Sequence, residues 1–304
     1  MGRNNTDKSL QQTKQPLAQR VKKEVQRSWP MYVMLLPAII LALIFCYAPM
    51  GGLVMAFQNY KPWLGITGSE FVGLDNFKQI FEFKESYQAI INTFIIAVSK
   101  MVLGLIFPII VALLLNEVHN MGVKKGIQTL VYLPHFLSWV TVAGMLRDIL
   151  GMDGIVNMFL QKVFGMDPIF FLGNAGMFRQ IVVISDLWKG FGFGMIVYLA
   201  AISNIDQSLY EAAQIDGATA TQILFKIKIP MIMPSVTICT FLTLTNGFKM
   251  FDQNLSLTGG DPGKQSQLLA LNIYDTFYGR SGPAWKGIGQ AKAVVFFVLV
   301  VVIA

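Results

Sequence analysis

Apolar residues in this chain come in long blocks rather than in alternating or one-faced patterns. Six blocks stand out: residues 31–57, 89–115, 129–150, 180–202, 230–250, and a last one beginning near Gln290. A helix needs ~20 mostly apolar residues to cross ~30 Å of hydrocarbon, and the blocks reach or approach that length. Lipid offers the backbone no hydrogen-bond partner, so each block is predicted as a helix rather than an open strand. The pattern therefore predicts an all-α integral membrane fold with six transmembrane helices. The last block is still apolar at Ala304, after about 15 residues. A tail that would finish this helix is expected to be missing.

The polar stretches between the blocks are short, and one of them differs from the rest. Residues 203–229 form a polar island whose residues favour helix. Ser208-x-x-Glu211 has the spacing of a capping box, and Leu209, Ala212 and Ala213 give an apolar edge at helical spacing. Gly217 is predicted to break or bend this helix. A second helical segment is expected over 218–228, with Ile223 and Ile227 on one face, before Pro230 and Pro234 open the fifth span. The expected product is a helix-Gly-helix element lying across one membrane surface.

Composition agrees with a chain solvated largely by lipid: 54% of the 304 residues are hydrophobic, 13% are charged, and the mean hydropathy is +0.54. The leading segment carries Arg3, Lys8, Lys14, Arg20, Lys22, Lys23 and Arg27 against Asp7 and Glu24. The positive-inside rule places that end in the cytoplasm, and with it the Lys124–Lys125 loop and the island, which ends in Lys226 and Lys228. The net charge of +7 then reads as membrane topology, and no basic stripe with interleaved aromatics points to nucleic acid. Residues 1–28 are expected to be a cytoplasmic tail without fixed structure, and 29–304 a transmembrane domain with its island at 203–229. The apolar run after Trp29 is too long for a cleavable signal. Trp29 and Tyr32 read as interfacial anchors. Cys46 and Cys239 both fall inside apolar blocks, His119 and His135 have no metal-ligand spacing, and no nucleophile elbow, phosphate loop or metalloprotease motif occurs. Bond chemistry is not expected of this chain.

The island's spacing has a specific match. Glu-Ala-Ala, three residues, Gly, nine residues, then Ile-x-Leu-Pro is the signature of permease subunits of binding-protein-dependent ABC importers. It stands here as Glu211-Ala212-Ala213, Gly217, Ile227 and Pro230, with Ile229 in place of Leu. The flanking Leu209-Tyr210 and Ile215-Asp216-Gly217-Ala218 resemble the carbohydrate-uptake branch. So do Phe71-Val72-Gly73-Leu74-Asp75-Asn76-Phe77, Asn92-Thr93, and Leu257-Thr258-Gly259-Gly260-Asp261-Pro262-Gly263. Tyr132-Leu133-Pro134-His135-Phe136-Leu137-Ser138-Trp139 resembles permeases for polysaccharides and complex oligosaccharides.

The resemblance implies a maltose-permease-like bundle in a bacterial cytoplasmic membrane, importing carbohydrate by alternating access. The island would be the coupling helix, with Glu211, Ala212, Ala213, Asp216, Gly217, Ile227 and Pro230 forming the element that docks on an ATPase. The implied partners are a second permease subunit, two cytoplasmic ATPase subunits that hold ATP and Mg, and an extracellular solute-binding protein. This chain itself would bind no cofactor or metal. Other solute classes (amino acids, polyamines, polyol phosphates) and, further off, an ATPase-independent secondary transporter are the alternative readings.

Charges within spans are costly and mark candidate pathway residues. Asp186 and Lys189, at i and i+3, are expected to pair on one helix face around Trp188. They precede Gly190-Phe191-Gly192-Phe193-Gly194, which either loosens the helix beside a cavity or packs closely on a neighbour. Lys100 has two readings, snorkelling to an interface or pairing inside the bundle. Asn246-Gly247-Phe248-Lys249 interrupts the fifth span and resembles the sugar-contacting stretch of maltose-type permeases, whose register also implies contacts at Asp186, Gly190 and Phe193. Arg147-Asp148 and Lys249 with Asp252 are expected to be local ion pairs at the lipid–water boundary.

Overall fold

The computed structural model describes residues 17–248, 250–261, 264–279 and 284–303. Nearly all of it is helix. Five stretches are long and apolar enough to cross a membrane: Ser28–Phe57, Lys84–Asn116, Ala175–Ser203, Ala220–Leu244 and Trp285–Val302. A sixth crossing is available only as a bent pair, Met121–Phe136 and Trp139–Phe164, which meet at 102°. The chain separates into two compact units, Met1–Val54 and Met55–Ala304.

The first unit is a run of helix. α1 (Leu17–Ala42) passes into a π turn (Leu43–Tyr47) and a 3-10 segment beginning at Ala48. The tail expected to lack structure up to residue 28 is therefore helical from Leu17; residues 1–16 lie outside the described residues. Trp29 and Tyr32 are exposed, as interfacial anchors require.

The second unit opens with a short antiparallel pair, Gln58–Asn59 with Glu70–Phe71, register Gln58 to Phe71 and Asn59 to Glu70. α2 (Asp75–Glu82) seals it: Asn76 Nδ2 donates to the carbonyls of Ala56 and Gln58, both at 2.9 Å, and Phe77 packs on Phe57 with ring centroids 5.2 Å apart. Two long helices form the spine. α3 (Lys84–Asn116) has 33 residues and α7 (Ala175–Ser203) has 29, so at ~1.5 Å per residue each exceeds the ~30 Å hydrocarbon thickness. Between them run α4 (Met121–Tyr132), α5 (Trp139–Leu150) and α6 (Ile155–Phe164).

The third apolar block, expected as one span over 129–150, is broken at Leu137–Ser138. Pro134 sits in a tight 3-10 turn (Leu133–Phe136), and Ser138 then restarts the helix by accepting the Thr141 backbone N–H at 3.2 Å. A proline cannot donate, and a serine N-cap satisfies the next helix's first turn, so the chain bends there. The carbonyl this frees, that of His135, accepts Lys189 Nζ at 2.8 Å. Hydrophobicity counts residues but does not register such a break.

By contrast the glycine-studded stretch does not loosen α7, which is continuous. A Cβ on Gly192 would lie 2.0 Å from the Val131 carbonyl oxygen, so this glycine lets α7 touch the backbone of α4. Gly194 abuts the ring of Pro108 on α3 in the same way.

After α7 come α8 (Gln207–Ile215), α9 (Ala220–Ile223), a π turn (Leu224–Lys228) and α10 (Ile229–Gly247). Short helices α11 (Phe251–Leu257) and α12 (Leu269–Tyr274) lead to α13 (Ala284–Ile303). The loop before α12 is pinned inside the bundle. Asn92 Nδ2 donates to the Gln265 carbonyl at 2.7 Å, Thr93 Oγ1 accepts Leu269 N–H at 2.8 Å, and Asn254 Oδ1 accepts Leu268 N–H at 2.8 Å. This gives Asn92-Thr93 a physical role. Of the motif beginning at Leu257, Pro262 and Gly263 lie outside the described residues. Buried apolar residues of α3, α5, α7 and α10 (Ile96, Ala143, Val182, Leu244) form one core, and Ala112, Tyr198, Ile202 and Ile232 form a second nearer the island.

Candidate functional sites at the island and in the bundle

The island is two helical pieces joined by a left-handed residue. Asp206, not Ser208, caps α8: its carboxylate accepts the Ser208 N–H at 3.0 Å, and that bond holds the carboxyl below its ordinary pKa. The expected Ser208–Glu211 box is therefore not formed, because an acidic residue two positions earlier is a better acceptor for the same turn. At the other end Gly217 adopts φ +76°. Gly217 N–H donates to Gln214 O (3.1 Å) and Ala218 N–H to Ala213 O (2.9 Å), the paired bonds of a Schellman stop. A true capping box follows at Thr219 and Gln222.

The second piece does not lie flat on a surface. It continues through the π turn into α10, so that Ala220–Leu244 is one helical span. The widened turn ends with Ile229 N–H on Leu224 O, one residue before Pro230, whose ring would clash with an ordinary α-helical turn. The signature's Pro230 thus sits where the island becomes membrane helix.

Its base is rooted in the bundle while its tip is bare. Tyr210 and half-buried Ile227 pack on the Ala112–Ile232 core. Lys228 pairs with Glu117 at the end of α3 and lies 5.8 Å from the Tyr210 ring centroid. The bond from Lys228 holds the Glu117 carboxyl below its usual range, and burial pushes the Tyr210 hydroxyl up. Glu211, Ala212 and Asp216 are exposed, Ala213 is half-buried, and Ile215 is 86% exposed. No ion pair reaches Glu211 among the described residues. A cleft of about 660 Å³ separates α8 and α9 from the end of α3, lined by Glu117, His119, Tyr210 and Gln214.

A second site lies inside the bundle. A cavity of about 410 Å³ is walled by Lys100, Gly104 and Pro108 of α3, His135 and Trp139 at the bend, Asp186, Gly190 and Phe193 of α7, Asn246 and Gly247 of α10, and Gln253 of α11. Lys100 Nζ lies 2.8 Å from Asp186 Oδ1 and donates to Gln253 Oε1 at 3.2 Å. Gln253 in turn donates to the Val182 carbonyl at 2.8 Å. Of the two readings of Lys100, pairing inside the bundle is the one observed. Asp186 therefore does not pair with Lys189, which reaches the other way to His135 O and lies 5.5 Å from the Trp139 ring centroid. The His135 ring stacks on Phe193 at 4.2 Å, 7° from parallel.

Three sequence candidates, Trp188, Lys189 and Phe248, are not among the residues that line this cavity. Trp188 lies two positions from both Asp186 and Gly190, about 200° round the helix, so it points away and is 40% exposed. Phe248 is 2% exposed and packs on Phe296, centroids 6.4 Å apart, as part of the core. Lys249 lies outside the described residues, and its expected pairing with Asp252 with it. Arg147, expected to pair locally with Asp148, donates instead to the Ser256 carbonyl on α11. Gln253, His135 and Trp139 were not candidates from sequence. Two of them follow from the bend, and Gln253 lies in a short helix just beyond the fifth apolar block, where the hydropathy pattern gives no signal.

Residues 104–304, about two thirds of the chain, match the family described as binding-protein-dependent transport system inner membrane component. The chain is 36% identical over 284 residues to the polygalacturonan/rhamnogalacturonan transport system permease of Bacillus subtilis strain 168, covering 91% of this chain and 87% of that one. It is 31% identical to a probable starch degradation products transport system permease of Thermoanaerobacterium thermosulfurigenes, covering 90% of each. A crystal structure of a bacterial alginate ABC transporter, in complex with an alginate pentasaccharide-bound periplasmic protein, contains a chain that superposes with TM-score 0.82 at 36% identity, covering 93% of this chain and 94% of the other. With these likenesses running nearly end to end, the protein belongs to the family of inner-membrane permease components of binding-protein-dependent ABC importers.

Proposed function

We propose that this chain is one of two permease subunits of an ABC importer for oligosaccharides or polysaccharide fragments, and that α8 with Gly217 is the knob by which an ATPase moves it. The relatives named above carry polysaccharide-derived substrates in their names, which supports carbohydrate over amino acids, polyamines or polyol phosphates. The basic leading segment and the island face the cytoplasm, and the loops before α3, α7 and α13 face outward. The chain performs no bond chemistry. ATP and Mg belong to two ATPase subunits beneath it, and an extracellular binding protein delivers sugar to the outer mouth.

One observation carries the reading. The island is exposed and apolar at its tip, fixed at its base, and continuous with a membrane span. A push on Ile215 or Glu211 would pass through the Gly217 stop into the helical run that starts at Ala220 and continues as α10, which contributes Asn246 and Gly247 to the cavity from its C-terminal end. Alternating access needs two bundle packings of similar free energy that the ATPase state biases. The cavity offers a sugar an aromatic wall in Trp139 and Phe193, and polar groups in Asn246, Gln253 and the Lys100–Asp186 pair. The deciding experiment is reconstitution of the assembled complex in vesicles, with uptake of labelled oligosaccharides measured with and without ATP. Sugar uptake that requires ATP and the binding protein supports the reading; ATP-independent uptake overturns it.

A further inference from the structure

Above the bundle cavity, toward the outer ends of the same two helices, lies a second cleft of about 620 Å³. Asn92 and Arg179 line it, against Lys100 and Asp186 in the cavity below; eight and seven residues of helix separate the two levels, about 11 Å. The core residues Ile96 and Val183 lie between. A solute descending along α3 and α7 would pass this cleft first.

Its lining is cationic. Lys84, Arg179 and Lys264 face Glu85. Lys264 is already paired with Asp275 at 3.1 Å, but no ion pair joins Lys84 or Arg179 to a carboxylate among the described residues. Arg179 is also held in place: its Nε and one terminal nitrogen donate to Asn92 Oδ1 at 3.2 and 3.0 Å, a neutral acceptor that fixes the guanidinium without cancelling its charge. Asn92 is fixed in turn by its bond to the Gln265 carbonyl. A rigid guanidinium with capacity to spare is suited to a carboxylate, which it meets with geometry as well as charge.

We infer that this outer cleft is a binding subsite for the ring carboxylate of an acidic oligosaccharide, built from Arg179 and Lys84. The inference rests on the carbohydrate-permease reading and narrows its substrate class to sugars bearing uronic acid units. The other anion that could sit here is an acidic side chain of the docked binding protein, and the test separates the two.

The complex is reconstituted with its binding protein, and ATP-driven uptake of trigalacturonate and of the neutral maltotriose is measured for wild type, Arg179→Gln, Lys84→Gln and Gln265→Lys. The readout is the ratio of kcat/KM for the acidic sugar to that for the neutral one, which a general folding defect leaves unchanged. Removal of either cation is expected to lower this ratio about tenfold through KM, the scale of one lost charge-assisted bond. Arg179→Lys is expected to restore part of it, and Gln265→Lys, which adds a cation at an exposed lining position, to raise it. Equal loss for both sugars would assign the cations to docking of the binding protein and overturn the inference. Uptake of maltotriose alone by wild type would also overturn it while leaving the permease reading intact; uptake of either sugar without ATP would sink both.

Discussion

Lys100 and Asp186 hold each other at 2.8 Å across α3 and α7, with Gln253 closing the third side, so the most costly residue of the second span is neutralised in the cavity wall. A charge in a membrane span that loses its partner is left uncompensated. Lys100→Met and Asp186→Leu should each destabilise the bundle by about 2 kcal/mol, below the ~3–5 of a fully buried pair because the Asp186 side chain is 34% exposed. The double variant should be less impaired than the sum. Thermal unfolding of the purified complex gives the coupling; strict additivity would mean the pair is not energetically real.

Gly217 and Gly192 are both glycine for physical reasons, but different ones. At Gly217 a Cβ would meet nothing within 4 Å, so the penalty for replacing it is the φ of +76° alone, roughly 1–2 kcal/mol. Gly217→Val should leave membrane insertion intact and abolish ATP-driven uptake, while Gly217→Asn, which tolerates this conformation, should retain more. Uptake at the wild-type rate in the valine variant would count heavily against a docking role for the bend.

At Gly192 the backbone is ordinary helix and the penalty is steric. Gly192→Ala should therefore lower the melting temperature of the complex far more than Gly190→Ala, whose Cβ would have open space. Equal effects would mean that α4 and α7 are not in backbone contact.

The Glu117–Lys228 pair tethers the island to α3, and its pH dependence has a definite sign. Glu117 has its pKa lowered by the bond from Lys228, so the pair stabilises the folded state above the ordinary glutamate pKa of about 4.3 and loses that contribution as pH falls through the lower, folded value. The carboxylate is well exposed, which limits its worth to below about 1 kcal/mol. Wild type should melt slightly above Glu117→Gln at neutral pH, and the gap should close below about pH 4. A gap that widens in acid would contradict this.

Much of this was legible in the sequence, and what was hidden has a common cause. Block length found the five helices long and apolar enough to cross a membrane, since ~20 apolar residues have few other uses, and the Glu-Ala-Ala…Gly spacing located the island because a left-handed helix stop requires glycine at one position. Boundaries set by local competition were misread: Asp206 displaced Ser208 as the cap, and the Pro134–Ser138 break split a block that hydropathy joins. Partners set by tertiary distance could not be read at all. Lys100 with Asp186, Lys189 with His135, and buried Lys292 with Asn272 at 2.7 Å and Thr276 at 2.9 Å are pairings that only the fold brings together. Trp188 entered the candidate site through its place between Asp186 and Lys189, and Phe248 through a resemblance of its stretch, but on a helix neighbours in sequence point to different faces.

The most direct test of the account is whether the knob holds the motor. The complex is purified through the permease pair from cells making either wild type or the double variant Ile215→Asp with Glu211→Lys, and the ATPase retained per permease is quantified. Both positions are exposed, so the variant bundle should fold and pair normally. The account predicts full retention for wild type and loss of most ATPase from the variant, with uptake lost in parallel. Undiminished ATPase retention and normal uptake in the variant would contradict it.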